Sequence, residues 1–155
     1  SKESIQKLEG NKNSVIKDVG KEVKVFEEVE HTNKCNKELL QNWNQLRENL
    51  SEFEGVELVP KRNYISLMLG NKTISFFIFR KESIVIELLR GNVKNDGKKS
   101  RNYFDIDDPK GLTEQKSWIW RDGTKGTIYV VRFKKNSDID YIMFIIKQKY
   151  KNMSN

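Results

Sequence analysis

The segment at 64–89 most constrains the fold, because it holds three β-prone runs separated only by short turns. Side chains at 64–69 alternate between two faces, and a glycine-containing turn at 70–72 leads directly into the run at 73–79. A third β-branched run, 83–89, follows after three polar residues. Such short connections join antiparallel neighbours. The sequence therefore predicts an antiparallel meander with a helical cover on at least one face.

Helical periodicity flanks this strand-rich region on both sides. Residues 37–53 follow Asn36, which is suited to cap a helix, and they end before Gly55. Residues 138–151 have acidic residues near their start and lysines near their end, which complements the helix dipole. Both segments predict helices that pack through an apolar stripe: Leu39, Leu40, Trp43, Leu46, Leu50 and Phe53 in the first, and Ile139, Ile142, Met143, Ile146 and Tyr150 in the second.

The predicted fold class is α+β, with an antiparallel sheet of four to five strands packed against an N-terminal-side helix and a C-terminal helix. One domain is expected over 36–151, preceded by a linker at 1–35 and followed by a tail at 152–155. The linker is expected to contribute an edge strand at 22–29. A later strand is expected at 127–134.

A short helix is expected at 109–120, because Pro109 suits the first helical position and Asp107 or Asp108 suits the cap. Cys35 is the one cysteine and cannot form an internal disulfide, which favours a reducing compartment, the cytoplasm. No apolar run approaches the ~20 residues of a membrane helix, so no membrane partner is expected. Ser1 in place of a methionine favours a fragment of a longer protein.

Positive charge is concentrated in one third of the sequence. The whole chain has a formal charge of +7, and residues 61–101 alone carry +7. A basic region near aromatic side chains is typical of nucleic-acid binding, because cations contact phosphates and aromatic rings stack on bases. A solvated basic face remains the alternative. The predicted DNA- or RNA-binding residues are Lys61, Arg62, Lys94, Lys98, Lys99 and Arg101.

Motifs of catalysis or metal binding are incomplete. His31 and Cys35 are four residues apart, but a structural zinc site needs four ligands. Asp105, Asp107 and Asp108 lack the glycine and distal glutamate of a calcium loop. No cofactor is predicted, and the fragment is expected not to be catalytic. Two alternatives stay open. A protein-interaction or homodimerisation module would use Trp118, Trp120 and the exposed face of the sheet, and a small-ligand or enzymatic site would lie near Asp108 and Trp118. The candidate pocket or interface residues are Tyr64, Asp108, Trp118 and Trp120.

The order of four short motifs resembles a known family. They are Asn-Tyr-Ile-Ser at 63–66, Asp-Pro-Lys-Gly-Leu at 108–112, Asp-Ile-Asp-Tyr at 138–141 and Ile-Ile-Lys-Gln-Lys-Tyr at 145–150. Over about 36–151 the chain is similar to the bacterial domain family labelled "predicted transport protein". The resemblance implies a C-terminal domain that follows a restriction-endonuclease-like domain. It therefore favours a non-catalytic accessory module that helps a nuclease-like partner domain engage nucleic acid.

Overall fold

The computed structural model describes residues 24–154, which form three helices and one sheet of six antiparallel strands. In chain order the elements are α1 (Glu28–Thr32), α2 (Lys37–Leu50), β1 (Val56–Pro60), β2 (Ile65–Leu69), β3 (Lys72–Phe79), β4 (Ile84–Val93), β5 (Glu114–Ile119), β6 (Lys125–Phe133) and α3 (Ile139–Ser154). The strands occur in the spatial order β1-β2-β3-β4-β6-β5.

The α+β class and the two flanking helices are confirmed. The Asn36 side chain accepts a hydrogen bond from the Leu39 amide at 2.9 Å, so α2 begins where the sequence predicts, and it ends at Leu50 rather than 53. In α3 the capping side chain is Asp138, which accepts from the amides of Asp140 and Tyr141. The helix continues to Ser154, so 152–154 are helical rather than a tail.

The sheet has six strands rather than four to five, and one of them replaces a predicted helix. Pro109 does not start a helix, because the Asp108 carboxylate accepts hydrogen bonds from the amides of Leu112 and Thr113 and closes a turn instead. The chain then enters β5, which pairs with β6 from Glu114 to Ile119. All six β5 side chains are exposed, so the strand lacks the apolar alternation that predicts strands from sequence.

The predicted edge strand at 22–29 is wrong in its described part. Residues 24–27 form neither a helix nor a paired strand, Glu28–Thr32 is helical, and 22–23 lie outside the described residues. A reciprocal capping box between Glu27 and Glu30 starts this short helix. It places His31 in a buried position, where Nε2 lies 2.6 Å from the Lys61 carbonyl oxygen. The histidine thus attaches α1 to the β1–β2 turn.

The core lies between the helices and one face of the sheet. Antiparallel register aligns four buried residues across β2, β3, β4 and β6, namely Ile65, Phe77, Ile86 and Val131. Trp43 of α2 is fully buried against this face. Its ring meets the rings of Phe77 and Phe79 edge to face, with 5.2 and 4.9 Å between the ring centres. Adjacent residues on each strand therefore point away from the helices.

Lys149 is a charged residue inside this core. Its side chain is 4% exposed, and its Nζ lies 4.9 Å from the centre of the Phe104 ring. Burial lowers the pKa of the Lys149 ammonium from 10.5 to about 8. The charged form is therefore less favourable in the folded protein than in the unfolded chain.

We expect Lys149→Met to stabilise the fold by about 2 kcal/mol at pH 7, because an uncharged side chain of similar length avoids desolvation. Between pH 8 and 10.5 the unfolded chain retains the Lys149 proton that the folded protein has lost. The free energy of unfolding of the wild type should therefore rise over that range, and the advantage of the variant should shrink. Urea denaturation of the wild type and the variant at pH 7 and near pH 10 measures the difference in their free energies of unfolding and its change with pH. Lys151→Met, at an exposed position of the same helix, is the control, and a destabilised K149M would contradict the expectation.

Candidate functional site

The face of the sheet that points away from α2 and α3, here called the open face, carries a mixed row of side chains. Register aligns Ser66, Phe76, Glu87, Val130 and Glu114 across five strands. The Tyr64 ring meets the Phe76 ring edge to face at 5.0 Å. Two carboxylates thus lie in this row, Glu87 on β4 and Glu114 on the edge strand β5, whereas Ser66 and Val130 are buried.

Two tryptophans lie at one end of the open face, on the hairpin formed by β5 and β6. Trp118 pairs with Gly126, and a methyl group at Gly126 would lie only 2.5 Å from the Trp118 ring. The indole therefore rests directly against the backbone of β6. Trp120 meets it edge to face at 5.4 Å. Their exposed fractions, 36% for Trp118 and 44% for Trp120, leave both rings accessible.

The loop at 94–101 packs beside the turn of this hairpin. The Lys94 amide donates to the Lys98 carbonyl at 2.9 Å, and Val93 forms a β-bridge with Lys99, so the loop is a folded extension of β4. Asn95 Nδ2 donates to the Asp122 carbonyl at 2.8 Å. The loop at 94–101 and the hairpin tip at 118–125 together form what we call the basic end.

Cations outnumber carboxylates at the basic end. The cations are Lys94, Lys98, Lys99, Arg101, Arg121 and Lys125, and the carboxylates are Asp96 and Asp122. Both carboxylates are engaged locally: Asp96 accepts from the Lys98 amide, and Asp122 accepts from the Thr124 amide. The Thr124 hydrogen bonds, with a smaller contribution from the charge of Lys94, lower the pKa of Asp122. With six cations and two carboxylates, the basic end has a net positive charge.

The structure divides the six predicted nucleic-acid-binding residues between opposite ends of the sheet. Lys61 and Arg62 lie in the β1–β2 turn, near the level of Ile86 on β4. The loop at 94–101 begins after Val93, roughly 23 Å further along that strand at 3.3 Å per residue. The Arg62 guanidinium lies 5.7 Å from the Phe26 ring, away from the tryptophans. The six residues therefore do not share one contact surface.

Asp108 belongs to the helix-covered side and not to the tryptophan cluster. Its carboxylate accepts from the hydroxyls of Tyr141 and Thr113 as well as from two amides. Partial burial alone would raise the pKa of Asp108, but the hydrogen bonds from Tyr141, Thr113 and Leu112 together outweigh it and lower the pKa to about 2. Asp108 thus ties the turn at 108–113 to α3.

The other motifs from the sequence have local structural contacts. Asp105 pairs with Arg90, and burial raises the pKa of the partly buried Cys35 thiol, which keeps it protonated. Among residues 24–154 no three His, Cys, Asp or Glu side chains are grouped to hold a metal ion. A groove of about 590 Å³ lies between the end of α2 and α3, and neither Asp108 nor Trp118 lines it.

Sequence reasoning missed two contributors to the basic end, Arg121 and Lys125, and it missed the packing of Trp118 against Gly126. The predicted helix at 109–120 concealed the hairpin, so these residues fell in the connection before the strand expected at 127–134. The Trp-Ile-Trp alternation at 118–120 was the available signal, because it places both rings on one face of a strand.

Comparison with protein-family models and with curated proteins finds no match for the chain. The resemblance to the "predicted transport protein" family therefore stays a prediction. Within the described part of the chain, no helix is long and apolar enough to cross a membrane.

We expect Asp108→Asn to lower the free energy of unfolding by about 1 kcal/mol at pH 7, because charge-assisted hydrogen bonds are weakened. The folded pKa of Asp108 lies below its usual 3.8, so its stabilising effect is present above pH 4 and lost as the pH falls towards 2. The difference between wild type and variant should therefore shrink over that range in chemical denaturation. Asp107→Asn is the matched control, because only the backbone of Asp107 is used in its contact with Gln148. Equal losses in both variants would contradict this role.

Proposed function

We propose that this chain is a non-catalytic accessory domain that binds nucleic acid at its basic end. The observation that supports this most directly is the Asn95–Asp122 hydrogen bond, which holds a lysine-rich loop beside two exposed tryptophans. Cations contribute sequence-independent phosphate contacts, and accessible aromatic rings contribute stacking. The family resemblance adds that a nuclease-like domain of the same polypeptide is the expected partner.

The charge distribution favours the basic end over the middle of the open face. Glu87 and Glu114 lie in the central row, where they would repel a phosphate backbone. At the basic end the two carboxylates accept hydrogen bonds from backbone amides, and the same two segments carry six cations. Contacts with nucleic acid should therefore concentrate at the loop and the hairpin tip.

Matched charge neutralisations test the location. We expect K94Q/K98Q to weaken binding of fluorescently labelled oligonucleotides, and K61Q/R62Q, which removes two charges at the opposite end, to leave it nearly unchanged. The logarithm of the binding constant falls linearly with the logarithm of the salt concentration. Each phosphate contact makes this slope steeper by about 0.7 for a single strand, or about 0.9 for a duplex. Losing two contacts should reduce that slope by about 1.4 or 1.8. Anisotropy titrations at several salt concentrations provide the measurement.

Two results would oppose the proposal. Absence of binding at low salt would remove the function altogether. Equal losses from K94Q/K98Q and K61Q/R62Q would indicate a diffuse electrostatic attraction without a defined site. Thermal unfolding of both variants shows whether any loss of binding comes from loss of the fold.

A second candidate function is protein interaction through β5. Among residues 24–154 this strand lies at the edge of the sheet and pairs with β6 alone, and Ile119 is 73% exposed on it. An unpaired edge with exposed apolar residues can pair with a strand of another chain. We expect light scattering to report a monomer if nucleic-acid binding is the function. A salt-insensitive dimer without nucleic-acid affinity would favour this second candidate instead.

A further inference from the structure

We infer that the basic end binds a single strand in preference to a duplex, with an unpaired base stacking on the Trp118–Trp120 pair. This inference rests on the proposed nucleic-acid function. It adds the strandedness of the ligand, the residues that stack, and a residue that positions them. The ligand class is a flexible single-stranded oligonucleotide of DNA or RNA.

The two rings are held in place before any ligand binds. Trp118 rests against Gly126. Glycine has no side chain, and for that reason it leaves room for the indole at that position. The Trp120 amide donates to the Thr124 carbonyl at 2.8 Å, which closes the hairpin turn, and the Trp120 ring packs edge to face on the Trp118 ring. A preorganised aromatic pair loses little side-chain entropy on binding, so more of the stacking energy is retained.

Trp118 and Trp120 are not part of the hydrophobic core. Trp43 is completely buried, whereas Trp118 and Trp120 keep 36% and 44% of their surface accessible. Their neighbours on the open face, one row along the strands, are Leu89, Ile128 and Lys116, and Leu89 is itself 38% exposed. This exposed apolar area with a lysine at its edge matches the composition of a base-stacking surface.

The preference for a single strand follows from the parts of a nucleic acid that the rings of Trp118 and Trp120 can contact. In a duplex the flat faces of the bases are stacked on one another, so a tryptophan ring could contact only edges, sugars or phosphates. In a single strand a base can leave its neighbours and lie on the ring, which contributes about 1–3 kcal/mol per base. The Lys94 charge acts on Asp122 of the hairpin tip, and the Lys94 amide bonds to the Lys98 carbonyl, so these two lysines are the candidates for contact with the flanking phosphates.

The test separates stacking from charge. Oligothymidine and a duplex of the same length are titrated into the protein, and binding is followed by anisotropy and by tryptophan fluorescence. Trp43 is buried and distant from the basic end, so its emission should stay constant and also report the fold. We expect tighter binding of the single strand, with quenching of the exposed tryptophans.

Three variants identify the stacking residues. Trp120→Ala should lower the affinity for oligothymidine about tenfold without changing the salt slope, because no charge is removed. Trp120→Phe should retain most of the affinity, since a smaller aromatic ring still stacks. Gly126→Ala should act in the same direction as Trp120→Ala, because its methyl group displaces Trp118. Circular dichroism checks that each variant is folded, and Trp120→Phe keeps the test decisive if either alanine variant is not.

The possible outcomes distinguish the single-strand inference from the proposed nucleic-acid function. Equal affinity for both forms, or an unchanged affinity in W120A, would overturn the single-strand inference and leave nucleic-acid binding intact. Absence of binding to either oligonucleotide would overturn both. Self-association that Trp120→Ala abolishes, in a protein without nucleic-acid affinity, would assign the pair to a protein interface and overturn the inference.

Discussion

The packing of Trp43 against the sheet is the contact on which the rest of the architecture depends. Trp43 comes from the helix that precedes the strands, and it fills the space above Phe77 and Phe79. The helix that follows the strands contributes Ile142 and Ile145 to the same core. With both helices on one face, alternate residues of β2, β3, β4 and β6 point towards the helices, and the residues between them point to the open face. The open face, and the aromatic side chains on it, is a consequence of this one-sided cover.

The segment between β4 and β5 completes the helix-covered side with a few specific contacts rather than with another helix. Gly91 has a positive φ of 131°, and a methyl group there would lie 2.7 Å from the Tyr103 ring. The backbone amide and carbonyl of Asp107 both bond to the Gln148 side chain at 2.8 Å. Phe104 covers Lys149. These contacts fix the segment on α3, so the chain enters β5 at the far edge of the sheet.

The accuracy of sequence-based prediction differed between elements for physical reasons. Asn36 and the apolar stripe through Leu39 and Trp43 are local signals, so the start of α2 was predicted correctly. β5 was missed, because all its side chains are exposed and its strand conformation comes from pairing with β6. The Asp108 carboxylate accepts a hydrogen bond from a backbone amide, as a helix cap would, but it closes a turn with Thr113 instead of capping a helix. A capping residue alone does not select between these outcomes.

The sequence by itself determined the α+β class, the two main helices and the excess of positive charge in the middle third, because periodicity, capping and composition are local properties. Only the tertiary structure decided which charges meet. Antiparallel register carried Lys61 to one end of the sheet and Lys94 to the other. The same register, with Gly126 in the pairing strand, placed Trp118 on the open face beside the basic loop. Strand pairing joins residues that are far apart in the chain, and for that reason local sequence patterns did not reveal this cluster.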